Sequence, residues 1–114
     1  MSFLYAQGDL LVERVADIPI SGSANGSDAD GATVLLEGET TGHRHAIFDR
    51  VTMFRDDALA HDIPNGLYVG HLRVDGPCAR IQHDEHDAIT LPTGTYRVRR
   101  QRELEPKDAR IVAD

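Results

Sequence analysis

Residues that interrupt regular structure recur at short intervals along this chain, and their spacing limits the folds open to it. Turn signals such as Gly8-Asp9, Pro64-Asn65-Gly66 and Asp75-Gly76-Pro77 separate apolar runs that are only long enough for single strands. No window of about 11 residues carries the i, i+3, i+4, i+7 apolar spacing of an amphipathic helix. The pattern predicts an all-β protein, a small single-domain β-barrel or sandwich.

Two stretches alternate clearly enough to predict strands with a defined inner face. They are residues 67–74 and residues 94–101. In the second, Tyr96 and Val98 are predicted to point inward and Arg97 and Arg99 outward. The alternation indicates half-buried strands, so the core is expected to rest on one face of each.

Three segments are predicted to be turns or loops. Asp75-Gly76-Pro77 and Pro92-Thr93-Gly94 are each expected to turn the chain before a following strand. Residues 21–31 are rich in Gly, Ser and Asp, which predicts a mobile surface loop. That loop is too short to divide the chain, so residues 1–114 are predicted to form a single β domain.

The charge balance disfavours nucleic acids and membranes as partners. The chain has 19 acidic and 12 basic residues and a net charge of −7, and such a surface repels phosphate backbones and anionic lipids. No apolar run approaches the roughly 18 residues of a membrane span, and the first residues lack a basic, apolar leader, so a cytoplasmic location is predicted. One basic stretch fits either phosphate contact or an outward strand face paired with carboxylates: Arg97, Arg99, Arg100 and Arg102.

Cys78 is the only cysteine, so no internal disulfide can form. It lies in a strand-like run without a helix N-terminus before it to activate the thiol. A buried structural side chain is therefore predicted.

Four of the six histidines fall in two tight pairs, and imidazole is the commonest metal-binding side chain. His43 and His45 are two residues apart, so on a strand both point to the same face. His83 and His86 are three apart and converge only if the residues between them form a turn or bulge. A pair of histidines in a polar segment more often lies at the surface than on a metal, but two pairs in one small domain favour a shared site.

Glu85 lies within the second pair, where it is predicted to be a ligand or a general base. The two remaining histidines stand alone in the sequence. His61 is predicted to be solvated, and His71 to pack within the core or across strands.

The segments Gly38-x4-His43-x-His45 and Leu91-Pro92-x-Gly94 resemble the two motifs of the cupin family. Cupins are small β-barrels that hold one divalent metal inside the barrel, so the resemblance implies a cupin-like fold with His43 and His45 as ligands. The glutamate of the first motif would fall at Asp49 or Arg50, and the histidine of the second motif is replaced by Arg97. His83, Glu85 and His86 would then complete the ligand set from another position.

A wider set of motifs resembles a small uncharacterised bacterial family. They are Gly-His-x-His, His-x-Glu-His and Leu-Pro-x-Gly-x-Tyr-x-Val-x-Arg-Gln-Arg-Glu, and the resemblance extends over residues 7–114. It implies no particular activity.

The histidine pairs predict a protein that binds one divalent metal ion (Zn, Fe, Mn or Ni) through His43, His45, His83 and His86. In an enzyme, that metal would polarise a small oxygenated substrate or activate water or dioxygen, with Glu85 as the predicted catalytic group. The alternative is a non-catalytic β module that binds another protein or forms a homo-oligomer through a sheet edge. Ligand nitrogens within about 2.0–2.2 Å of one point, with an open coordination position, would favour the enzyme. Diverging histidines on the outside would favour the module, and a closed four-ligand site would favour a structural metal.

Overall fold

A computed structural model describes residues 4–25, 31–37, 43–64 and 66–101. More than half of these residues lie in strands, and the only helical element among them is a 3₁₀ helix at Asp57–Leu59. The all-β prediction is confirmed. The strands are β1 (Leu4–Gln7), β2 (Leu10–Val15), β3 (Ser23–Asn25), β4 (Thr33–Glu37), β5 (Arg44–Ile47), β6 (Val51–Arg55), β7 (Tyr68–Gln82) and β8 (Ile89–Arg100).

The strands form one antiparallel sheet built around the two longest, β7 and β8. The order is β1-β2-β8-β7-β5-β4, while β6 pairs with β7 and carries β3 on its other edge. β5 and β6 therefore share the edge of β7 that faces away from β8. β6 pairs with residues 71–74 of β7, and β5 pairs with residues 81–82 of β7.

The two turns predicted inside these long strands are wrong, because β7 and β8 each run through without ending. Pairing jumps from Val74↔Gly94 to Cys78↔Pro92, so β7 has extra residues there and bulges against β8. Pro and Gly are tolerated at such a bulge, where regular ladder bonds are already interrupted. The predicted breaks thus lie opposite each other and mark an irregularity common to both strands.

The core lies on the inner face of this sheet. Tyr96 and Val98 are fully buried while the Arg97 side chain turns outward to carboxylates, so the predicted faces of β8 are confirmed. The main apolar cluster is Leu10, Val12, Leu35, Ile47, Met53, Leu72, Val74, Ala79, Ile81, Ile89, Leu91, Tyr96 and Val98.

The prediction of a buried Cys78 is wrong, because its side chain is exposed. The bulge before it resets the alternation, so that Ala79 and Ile81 face the core and Cys78 faces outward.

Part of the segment predicted as a loop is regular. Ser23–Asn25 pairs with β6, while residues 26–30 lie outside the described ranges. The 3₁₀ helix at Asp57–Leu59 is capped by Asp56, whose side chain accepts a hydrogen bond from the Ala58 amide. No helix in the described part of the chain is long and apolar enough to cross a membrane.

Arg97 provides the clearest role for the basic stretch. Its guanidinium donates to Glu13 at 2.7 Å and to Asp62 at 2.8 Å, and the two carboxylates come from β2 and from the segment before β7. At Arg97 the outward strand face is thus paired with carboxylates, while Arg102 and the acidic residues after it lie outside the described residues.

Candidate functional site

The structure brings the two histidine pairs together at one end of the sheet. His43 directly precedes β5, His45 lies within it, and His83 and His86 lie in the connection between β7 and β8. We call these four residues the histidine cluster. The ring centroids are 4.3 Å apart for His45–His83, 4.7 Å for His83–His86, 5.8 Å for His43–His83 and 6.5 Å for His45–His86.

The cluster forms because the chain bends between the second pair. Residues 84–86 form a bend after β7 ends at Gln82, which removes the strand geometry that would point the two rings to opposite faces. The Glu85 amide donates to His83 Nδ1 at 3.0 Å and stabilises this bend. The bend thus brings the rings of His83 and His86 side by side, with their centroids 4.7 Å apart.

His45 is the fixed member of the cluster. Its side chain is only 1% exposed, and its Nδ1 lies 2.7 Å from Oε1 of Gln7, the last residue of β1. The Gln7 amide nitrogen donates to the carbonyls of Ile81 at 3.0 Å and Asp87 at 2.8 Å. An amide turned the other way would place its oxygen against those two carbonyls, so Oε1 is the acceptor and His45 Nδ1 is protonated.

The second nitrogen of His45 faces a carboxylate that the motifs did not identify. His45 Nε2 lies 3.1 Å from Oδ1 of Asp9, whose side chain is about half exposed (49%). Asp9 follows Gly8 in the two-residue turn between β1 and β2. In the sequence, Gly8-Asp9 is recognisable only as a turn signal; its proximity to a histidine more than 30 positions away depends on the curvature of the whole sheet.

Gly8 allows this turn to lie against the histidine rings. Its φ of 60° is in the left-handed region, and a Cβ placed there would lie 2.8 Å from His86 Nε2 and 3.5 Å from His45 Cε1. Gln101 holds the turn from the other side, since its amide group donates to the Gly8 carbonyl at 2.7 Å and its backbone N–H to the Asp9 carbonyl at 2.9 Å. The turn is thus anchored by the end of β8.

Burial and the neighbouring imidazoles lower the pKa of two members of the cluster, His45 and His83. Burial lowers the pKa of His45, and the nearby His83 and His86 lower it further, against the raising effect of Asp9. Burial also lowers the pKa of His83, together with the charges of His86 and His43. Neutral imidazoles are the form that binds metals.

Glu85 lies on the open side of the cluster. Its Oε1 is 3.4 Å from His43 Nδ1, and its side chain is 64% exposed. Within the described ranges, no three His, Cys, Asp or Glu side chains have donor atoms arranged to hold a metal ion together. The rings are neighbours, but their nitrogens do not point at one position.

A second polar group lies elsewhere on the sheet, around the other two histidines. His71 is buried, stacks on Phe54 and accepts a hydrogen bond at Nδ1 from the Tyr68 hydroxyl at 2.7 Å, which confirms its predicted packing role. That hydroxyl accepts in turn from the Asp56 amide at 3.2 Å. His61 is exposed, as predicted, and borders a cavity of about 350 Å³ beside Tyr68.

Comparison with known proteins identifies a family model, described as a domain of unknown function (DUF8820), that matches residues 6–101. The matched range includes both histidine pairs, the Gly8-Asp9 turn and Gln101. Neither a curated protein nor a solved structure matches the chain.

Proposed function

The chain belongs to the DUF8820 family, and we propose that it binds one divalent metal ion at the histidine cluster. The observation that carries this proposal is the convergence of four imidazoles from two distant segments onto one end of the sheet, with ring centroids 4.3–6.5 Å apart. Packing alone does not call for four histidines in one place, because protonating any one of them raises the cost of protonating the next.

The chemistry of the surrounding groups supports a cation. The chain is acidic overall, and the Asp9 and Glu85 carboxylates lie next to the rings. Neutral imidazoles with carboxylates suit Zn, Fe, Mn and Ni. Binding requires the more accessible rings of His43, His83 and His86 to turn their nitrogens toward His45, and exposed side chains change rotamer within nanoseconds.

Catalysis by the bound ion is the further part of this proposal. A metal held by a few protein ligands at a solvent-facing position polarises an oxygenated small molecule or activates water. Glu85 is exposed and adjacent to His43, so it has access to such a molecule and is our candidate for a general base. We likewise propose that the site is cupin-like, that the protein is bacterial and cytoplasmic, and that it forms a homo-oligomer.

Metal titration of the purified protein tests the binding proposal. After chelator treatment, Zn²⁺, Ni²⁺, Mn²⁺ and anaerobic Fe²⁺ are each titrated by calorimetry, and bound metal is measured after gel filtration. We expect about one ion per chain for at least one metal, and loss of binding in His43→Ala/His45→Ala and in His83→Ala/His86→Ala, because neither pair alone supplies three ligands.

The matched control is His61→Ala, which removes an exposed imidazole outside the cluster and should leave binding intact. Circular dichroism and thermal melts establish that each variant is folded. A folded wild-type protein that retains none of the four metals at neutral pH would refute the proposal and favour a non-catalytic module.

A further inference from the structure

We infer that Asp9 is the acidic ligand of this metal site and that Gln7 is the residue that positions His45 for it; the inference rests on the proposed metal binding and extends it. The β1–β2 hairpin brings three residues to the cluster, Gln7, Gly8 and Asp9, and only Gln7 is buried.

The first step is the hydrogen-bonding state of His45. Two carbonyls occupy the donors of the Gln7 amide, so its oxygen accepts from His45 Nδ1–H at 2.7 Å. The imidazole of a metal ligand characteristically donates its remote N–H to a fixed acceptor, which sets the tautomer and aims the other nitrogen at the ion. The Gln7 contact therefore leaves Nε2 as the nitrogen of His45 that can bind an ion.

The second step is what that nitrogen faces. The Asp9 carboxylate lies 3.1 Å away, within hydrogen-bond distance, and a metal ion in place of the shared proton would take both atoms as ligands. An ion placed ~2.1 Å from both atoms would see them about 95° apart, which falls between the octahedral and tetrahedral angles. The pair is already spaced as two ligands of one metal.

The third step is the approach of another imidazole to the same turn. His86 Nε2 lies close enough to Gly8 that a Cβ there would be 2.8 Å from it. His83 is differently engaged, since its Nδ1 accepts from the Glu85 amide. His86 is therefore our candidate for the third ligand, and its exposed ring must turn toward Asp9 and His45 to complete a two-histidine, one-carboxylate set of the kind used by non-haem iron(II) sites.

The test compares two carboxylate-to-amide substitutions at different positions around the cluster. Asp9→Asn retains a residue suited to the turn but removes the charge, and Glu85→Gln does the same at the exposed carboxylate beside His43. Zinc affinity is measured by competition with a chromophoric chelator. We expect Asp9→Asn to weaken binding at least tenfold and Glu85→Gln to change it less than twofold.

The role of Gln7 has its own readout, which needs no metal. Long-range proton–nitrogen NMR spectra of the metal-free wild-type protein should show His45 protonated at Nδ1. Gln7→Met should lose that tautomer preference and weaken zinc binding 10–100-fold, the usual effect of removing such an acceptor. If Gln7→Met does not fold, the wild-type spectrum still decides the point.

The outcomes separate this inference from the proposed function. Zinc binding that survives Asp9→Asn, or that is lost in Glu85→Gln instead, overturns the assignment of Asp9 and leaves metal binding in place. A His45 protonated only at Nε2 overturns the role of Gln7. A wild-type protein that binds no metal removes the proposed function and the Asp9 assignment together.

Discussion

Replacing Gly8 by Ala should separate the conformational role of this glycine from its role in the site. The φ of Gly8 is 60°, where a side chain costs ~1–2 kcal/mol of folding free energy. The added Cβ would also lie 2.8 Å from His86 Nε2, well inside ordinary contact at 3.4 Å, so the ring must move away from the turn. We expect a loss of ~1–2 kcal/mol in the free energy of unfolding and at least a tenfold loss of zinc affinity, equivalent to ~1.4 kcal/mol.

Gly31→Ala is the matched control for this substitution. Gly31 has a similar left-handed φ of 85°, but a Cβ there would meet nothing within 4 Å. Urea denaturation should therefore show a similar loss of stability in both variants, while chelator competition should show weaker zinc binding only in Gly8→Ala. Equal zinc affinity in the two folded variants would contradict the placement of His86 over the turn.

Two further predictions concern stability. Tyr68→Phe should lower the free energy of unfolding in urea by ~1–3 kcal/mol, because it leaves the buried His71 Nδ1 without its hydrogen-bond donor. If the loss is no larger than that caused by a substitution of an exposed residue, water has replaced the hydroxyl. The melting temperature of the metal-free protein should fall as pH drops below about 6.5, because burial lowers the pKa of His45, His71 and His83 in the folded state while the unfolded chain takes up protons at the ordinary value. Each histidine changes the free energy of unfolding by at most ~1.4 kcal/mol per pH unit, over the range from pH 6.5 down to its pKa in the folded state. A melting temperature that stays constant from pH 7 to pH 5 would contradict this prediction.

The fold class was predictable because alternation is a local property of the chain. Tyr96 and Val98 lie inward as their spacing predicted. The length of β7 and β8 was not predictable. Whether a Gly or Pro ends a strand or only forms a bulge in it depends on the residues of the neighbouring strand. Gly94 pairs with Val74 across that bulge, a contact between positions 20 residues apart that no local pattern encodes. The exposure of Cys78 follows from the same bulge.

The candidate site was likewise predictable only where its residues are close together in the sequence. The two histidine pairs were visible because each is a cluster within a few residues, and the structure brings them together. Asp9 and Gln7 could not be identified, because a turn aspartate and a strand glutamine are ordinary in themselves. Their contacts with His45 exist only because the sheet curls until the end of β1 meets β5, although three strands lie between them in the sheet order.

The site is therefore a product of the whole fold, and this ties ligand binding to stability. Its groups come from the β1–β2 turn, from β5 and from the β7–β8 connection, and Gln101 at the far end of β8 anchors the turn. In the unfolded chain these groups are dispersed over most of the sequence, so an ion that binds only the folded state shifts the folding equilibrium by its own binding free energy. At a free metal concentration one hundred times the Kd, this amounts to ~2.7 kcal/mol. A gain of that size would exceed what the Gly8 turn loses when its φ is strained, so the metal-loaded protein should tolerate turn substitutions that keep the ligands in place.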